Sequence, residues 1–182
     1  MSDGSWRRGA VLVPVLATPP HSLIFVERAQ HLRRHPGQIA FPGGAADASD
    51  AGDPVRTALR ELEEEIGVES ERVRVAGRLP DSKQEFYRFI VTPIVGVLDA
   101  ATRFLVDGEE IASLFAVPLA AILAAGALYE DTAIIAAHGK TMYAFDYEGR
   151  HIWGFTGGIL KSFVDAWSEP ESALRSAIEA AF

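Results

Sequence analysis

The segment Asp53–Val68, "DPVRTALRELEEEIGV", constrains the chain most, because it demands two different neighbours for one helix. Asp53 and Pro54 read as the N-cap and first position, and Gly67 as the stop. Val55, Ala58, Leu59, Leu62 and Ile66 recur at spacings of three and four, a stripe that must be buried. Glu61, Glu64 and Glu65 stack one above another on a different face. Like charges at this spacing repel by about 0.2–0.5 kcal/mol per pair, so the helix loses stability unless a cation sits among them. Hard carboxylate oxygens suit magnesium or manganese, with phosphate oxygens of a substrate as further ligands. Arg60, four residues before Glu64, can pair with it. Taken alone, such a run also reads as an ordinary solvated face. The lead-in matters: "FPGG", residues 41–44, ends a short strand, and its glycines let backbone approach a ligand, where a free carbonyl can join a metal's shell.

Charge and composition narrow the partners. A net charge of −8 and a pI near 5.1 disfavour nucleic acid and anionic membrane. A phosphorylated small molecule remains open, since a bound divalent cation inverts the local field. The absence of cysteine removes disulfides, thiolate metal sites and cysteine nucleophiles. With 48% hydrophobic residues, the 182 positions are expected to form one domain with a full core. The N-terminal apolar run is short, carries Pro14 and ends at Pro19-Pro20, so it reads as a strand. No run approaches the roughly 18 apolar residues of a membrane helix. A cytoplasmic protein is expected.

Strands are expected over 10–16, 22–28, 72–79 and 88–98, with a basic loop over 29–36, a short strand before Gly43 and a small acidic loop after it. The polar stretch 80–87 reads as a mobile loop and 118–125 as a short helix. A hairpin is expected over 140–153, turning at Glu148-Gly149, then helices near 156–167 and 170–181, with Thr156 as a possible cap. Irregular interleaving points to an α/β (α+β) fold with a mixed sheet.

At this point the sequence resembles the Nudix hydrolases. The second half of their box is matched in full by Arg60, Glu61, Leu62, Glu63, Glu64, Glu65, Ile66, Gly67 and Val68. The first half departs: Asp50 stands where the box has Glu after Gly44, and the run from there to Arg60 is two residues too long, leaving Asp50 or Asp53 for the first acidic position. A second pattern, in "FVERAQHLRRHPGQIAFPGG", resembles the coenzyme A pyrophosphatase-like branch: Arg28, Ala29, Arg33, Gly37, Phe41, Pro42, Gly43 and Gly44 fall in place, while Phe25-Val26-Glu27 replaces Leu-Leu-Thr. The resemblance implies an α/β/α sandwich around a mixed sheet. It implies Mg²⁺ or Mn²⁺ held by Glu61, Glu64, Glu65 and the Gly44 carbonyl, with Arg60 orienting them. It implies a nucleoside diphosphate substrate, coenzyme A or an acyl derivative first, with ADP-ribose, NADH or a dinucleoside polyphosphate as the alternative and an inactive nucleotide-binding sensor as the second; many relatives form homodimers.

Other residues carry two readings. Arg28, Arg33 and Arg34, with His31 and His35, can hold phosphates beside Gly43 or simply make a basic surface loop. Glu85 can serve as general base, as can Glu64, or be a solvated loop residue; Glu109 and Glu110 share that ambiguity. Trp153 and Phe155 belong to the core or to a pocket wall. Phe86, Tyr87 and Phe89 can stack on a base, and His138 reads as a turn residue.

Overall fold

Strand β1 (Arg7–Leu16) runs parallel to β7 (Phe89–Leu98) over its whole length, from Arg7↔Phe89 to Leu16↔Leu98. Both strands are buried on both faces, which is why they read as near-continuous apolar runs. The computed structural model describes residues 6–85, 87–106, 108–133, 136, 139 and 141–182; Phe86 and His138 lie outside them. Around the β1–β7 pair, every other contact in the eight-stranded sheet is antiparallel. Strands β5 (Val73–Arg78) and β6 (Ser82–Gln84) share the outer edge of β7. Strand β8 (Ile111–Pro118) lines the far edge of β2 (Ser22–Arg28).

The decisive local feature is a fork. Strands β1 and β2 bond only at one end, Val15↔Leu23 and Leu16↔Ser22. Where they part, β3 (Ile39–Ala40) pairs with β2 and β4 (Gly43–Ala45) pairs with β1, so the Phe41-Pro42-Gly43-Gly44 segment fills the gap. The Leu12 amide donates to the Pro42 carbonyl at 2.8 Å, closing the wedge.

Alternating side chains of β1 feed opposite faces, as the two-residue period requires. Ala10 and Leu12 join Ile24, Val26, Ile94 and Leu98 beneath helix α1 (Pro54–Ile66), which contributes Ala58, Leu62 and Ile66. Val13 and Val15 join Leu23, Phe25, Val95 and Val97 on the other face. That second core is covered by α3 (Gly154–Ser168) and α4 (Ala173–Glu179), through Ile159, Leu160, Phe163 and Ile178. A small sheet of β9 (Leu128–Glu130), β10 (Tyr143–Tyr147) and β11 (Arg150–Ile152) adds Phe145 and Ile152. The result is the α/β/α sandwich with a mixed sheet that the sequence implied.

Several expectations shift in detail. The helix expected at 118–125 is the single turn α2 (Leu119–Ile122), and the strand β8 before it was not foreseen because its apolar residues do not alternate cleanly. Part of the expected mobile loop at 80–87 is strand β6, ordered by pairing with β7. The hairpin turns at Glu148-Gly149 as expected, both with positive φ. Thr156 does not cap α3, which begins two residues earlier with Trp153 at the cap position; the Thr156 hydroxyl donates instead to the Ile39 carbonyl at 3.0 Å. Gly157 is there for close packing, since a Cβ would run into the Tyr143 carbonyl.

Candidate active site

Helix α1 lies over the fork, and its cap settles one ambiguity. The Asp53 carboxylate accepts from the Val55 amide at 2.9 Å, so Asp53 is spent on the helix terminus. Asp50, in a 3₁₀ turn over Ala48–Asp50, points inward and is only 2% exposed. It accepts from the Asp47 amide at 2.8 Å and the Thr57 hydroxyl at 2.9 Å. Its two oxygens grip Arg60 through Nε and a terminal nitrogen, each at 3.1 Å. The Arg60 fork thus meets a carboxylate in the bidentate geometry that suits it best. That grip holds the Asp50 carboxyl down to about 2.

Fixed in this way, Arg60 reaches the carboxylate face. Its other terminal nitrogen donates to Glu61 and Glu64, each at 2.9 Å, and the first also donates to the Ala45 carbonyl at 3.0 Å. Glu65 turns toward the fork, where the Gly43 amide donates to it at 3.0 Å and Arg28 stands 4.0 Å away. Burial pushes the Glu65 carboxyl up to about 7 and Glu61 in the same direction. Glu110 adds to the repulsion felt by both. Its carbonyl accepts from the Ala29 amide at 2.9 Å, which brings the start of β8 beside Arg28. Glu110 is the residue that sequence reasoning left undecided; nothing in its local pattern marks it, because the β2–β8 pairing places it.

The glycine pair has two separate jobs. At Gly43, φ is +156°, and a Cβ would strike the Ala10 carbonyl and the Val11 backbone, which cannot yield. At Gly44, a Cβ would stand 2.5 Å from the Glu61 carboxyl, the movable end of a side chain. Gly43→Ala is therefore expected to lower the melting temperature by several degrees, and Gly44→Ala to leave it within about two degrees while cutting turnover at least tenfold. Thermal denaturation and turnover of the two purified variants check this; the opposite ranking would show that the glycines do not divide in this way.

Not every expected residue joins this cluster. Arg33 and Arg34 are exposed on the loop after Arg28. Glu85 lies in the wall of a neighbouring cavity of about 1040 Å³, with Gln38, Lys83, Tyr87, Trp153 and Phe155 among the other walls. The cavity adjoins the carboxylate face through one backbone pair: the Arg28 amide donates to the Gln38 carbonyl at 3.0 Å. Phe25 and Val26, which depart from the branch pattern, are 0% and 1% exposed and belong to the two cores.

A NUDIX domain model matches residues 6–138, which include the fork, the helix and its carboxylates. The chain belongs to the Nudix hydrolase family. As a Nudix hydrolase it is a pyrophosphatase, and it is 40% identical over 156 residues to NudL of Yersinia pestis (strain Pestoides F), described as an uncharacterized Nudix hydrolase, covering 85% of this chain and 77% of that one. Solved Nudix structures share the fold. An Ap4A hydrolase of C. elegans in a binary complex superposes with a TM-score of 0.55 at 15% identity, over 97% of this chain and 99% of that one. A MutT/nudix family protein from Enterococcus faecalis gives 0.56 at 15% identity, over 94% and 67%.

A divalent metal is the general cofactor of Nudix hydrolases. Among the described residues no three carboxylates converge closely enough to enclose an ion, because the Arg60 guanidinium lies between Glu61 and Glu64. The donor set nevertheless fits a hard cation: three carboxylates on one face, two of them raised by burial, beside a glycine that leaves Glu61 room.

Proposed function

We propose that this Nudix hydrolase cleaves the pyrophosphate of coenzyme A or acyl-coenzyme A, with Mg²⁺ or Mn²⁺, to adenosine 3′,5′-bisphosphate and (acyl-)phosphopantetheine. The observation that carries the hydrolytic part is the Asp50–Arg60 grip, which aligns Glu61 and Glu64 beside the glycine fork. Glu61, Glu64, Glu65 and the Gly44 carbonyl would hold the cation. When bound, it neutralises the pyrophosphate and lowers the pKa of the attacking water. Arg60 keeps its hold on Asp50 while Glu61 and Glu64 turn to their ligand, so the face stays aligned. Glu65, tied to the Gly43 amide, sets the distance from helix to fork. Glu64, the more exposed carboxylate with 58% of its side chain accessible, would accept the proton of the water, with Glu85 of the cavity wall as the other candidate base. Arg28, and the exposed Arg33 and Arg34 on its loop, supply guanidinium groups for the substrate phosphates, and Gly43 lets the backbone approach them.

The coenzyme A part rests on Arg28, Ala29, Arg33 and Gly37 leading into Phe41-Pro42-Gly43-Gly44. Of the departure at Phe25-Val26-Glu27, the first two residues fall on core packing, whereas the Glu27 carboxylate accepts from the Ser113 hydroxyl at 3.2 Å, so ADP-ribose, NADH and diadenosine polyphosphates stand as the rival substrates. Incubation with coenzyme A, acetyl-coenzyme A, ADP-ribose, NADH and diadenosine polyphosphates, with products read by mass spectrometry, tests the reading. Adenosine 3′,5′-bisphosphate is expected to form fastest and to vanish with chelator. AMP formed faster from ADP-ribose would replace the substrate, and cleavage unaffected by chelator would remove the metal.

A further inference from the structure

The cavity beside the carboxylate face has a wall built for a flat ring. Trp153 lines it and is 37% exposed. Its ring lies near-parallel to His151, with centroids 6.3 Å apart at 26°. His151 is itself braced: Nδ1 meets Asp146 at 2.7 Å, Nε2 faces Asp131 at 3.5 Å, and the Tyr129 hydroxyl donates to the other Asp146 oxygen at 2.6 Å. Trp153 is therefore backed by a fixed ring, and a ligand stacking on it meets a surface that needs little ordering. Gln38 and Gln84 also line the cavity, and each carries both a donor and an acceptor, as the edge of a purine requires.

The charges add a second requirement. Lys83 lines the same cavity, and among the described residues no carboxylate lies within ion-pair distance of it. Glu85 gives the wall one carboxylate of its own, and His35 and His151 are the other titratable side chains there with Tyr87 and Tyr143. Such a mixed wall suits one phosphate monoester placed at Lys83 better than a polyanion. Gln38, which lines the cavity, is bonded across one strand pair to the backbone of Arg28, the arginine that faces Glu65.

We infer that the cavity is the nucleoside subsite, in which a purine stacks on Trp153 and Lys83 holds a phosphate on the 3′-oxygen of its ribose, with the 5′-phosphate directed at the carboxylate face. The stacking half stands on the cavity alone, whereas the 3′-phosphate half rests on the coenzyme A reading. Lys83 is then the residue that separates coenzyme A from 3′-dephospho-coenzyme A and ADP-ribose.

Calorimetric titration of the metal-free protein with adenosine 3′,5′-bisphosphate and with AMP tests both halves without turnover. The bisphosphate is expected to bind about tenfold tighter than AMP. Lys83→Ala should bring the two within about twofold by weakening the bisphosphate alone. Trp153→Ala should weaken both ligands at least tenfold, and Trp153→Phe, which keeps a ring and guards against a folding artefact, should lose less. Equal affinities in the parent protein, or a preference that survives Lys83→Ala, would overturn the phosphate contact. Undiminished binding in folded Trp153→Ala would overturn the stack. If ADP-ribose is the preferred substrate while Trp153 variants still lose AMP, the coenzyme A reading and the Lys83 contact fail together and the ring platform stands. If coenzyme A is cleaved while both variants bind normally, the subsite assignment alone is wrong.

Discussion

Glu64→Gln is expected to lower turnover by about 10²–10⁴-fold, the contribution of a positioned general base or more if the residue also holds metal. The substitution keeps shape and hydrogen-bonding capacity, and the side chain is largely exposed, so its pair with Arg60 is worth at most about 0.5 kcal/mol. The melting temperature should therefore stay within about two degrees of the parent. Glu63→Gln is the matched control, because Glu63 is exposed and its side chain takes no part in the Arg60 network. Steady-state turnover on the best substrate of the panel gives the answer. If folded Glu64→Gln turns over like Glu63→Gln, the carboxylate face of α1 is a solvated surface and the chemistry lies elsewhere.

The largest stability effect is expected from Asp50→Ala. Three donors converge on this carboxylate: the Asp47 amide, the Thr57 hydroxyl and the Arg60 fork. Its removal takes their shared acceptor from a site that water barely reaches, and it leaves Arg60, already bonded to Glu61 and Glu64, without the anchor that fixes it. A loss of about 3 kcal/mol is expected, together with a fall in turnover, because an unanchored guanidinium no longer holds Glu61 and Glu64 in line. The pH dependence has a definite sign. Asp50 titrates lower in the folded chain, near 2, than the 3.8 of a free side chain. The stability it contributes is thus complete above about 3.8 and disappears as pH falls through about 2. Chemical denaturation of the parent between those values should show a decline that Asp50→Ala lacks. A variant within about 0.5 kcal/mol of the parent, with the same acid limb, would mean that the grip on Arg60 is not what fixes this face.

What the sequence by itself determined follows from short-range periodicity. The spacing of Val55, Ala58, Leu59, Leu62 and Ile66 fixes which side of α1 is buried, and so which side carries Glu61, Glu64 and Glu65. The apolar runs of β1, β2 and β7 announce strands, and the resemblance to the Nudix hydrolases, carried by short motifs, implied the sandwich around them. Tertiary structure decided what depends on distant segments. Asp53 was legible as the helix cap from the proline after it, but only the turn geometry sends Asp50 inward to Arg60. Glycines at 43 and 44 look interchangeable until the fork between β1 and β2 crowds one with backbone and the other with Glu61. Glu110 gains its place from the pairing of β8 with β2, and the cavity draws Lys83 and Trp153 together from opposite halves of the chain. Helical and strand periods are local, whereas the burial of a charge and the walls of a cavity are set by chain segments whose meeting no spacing encodes.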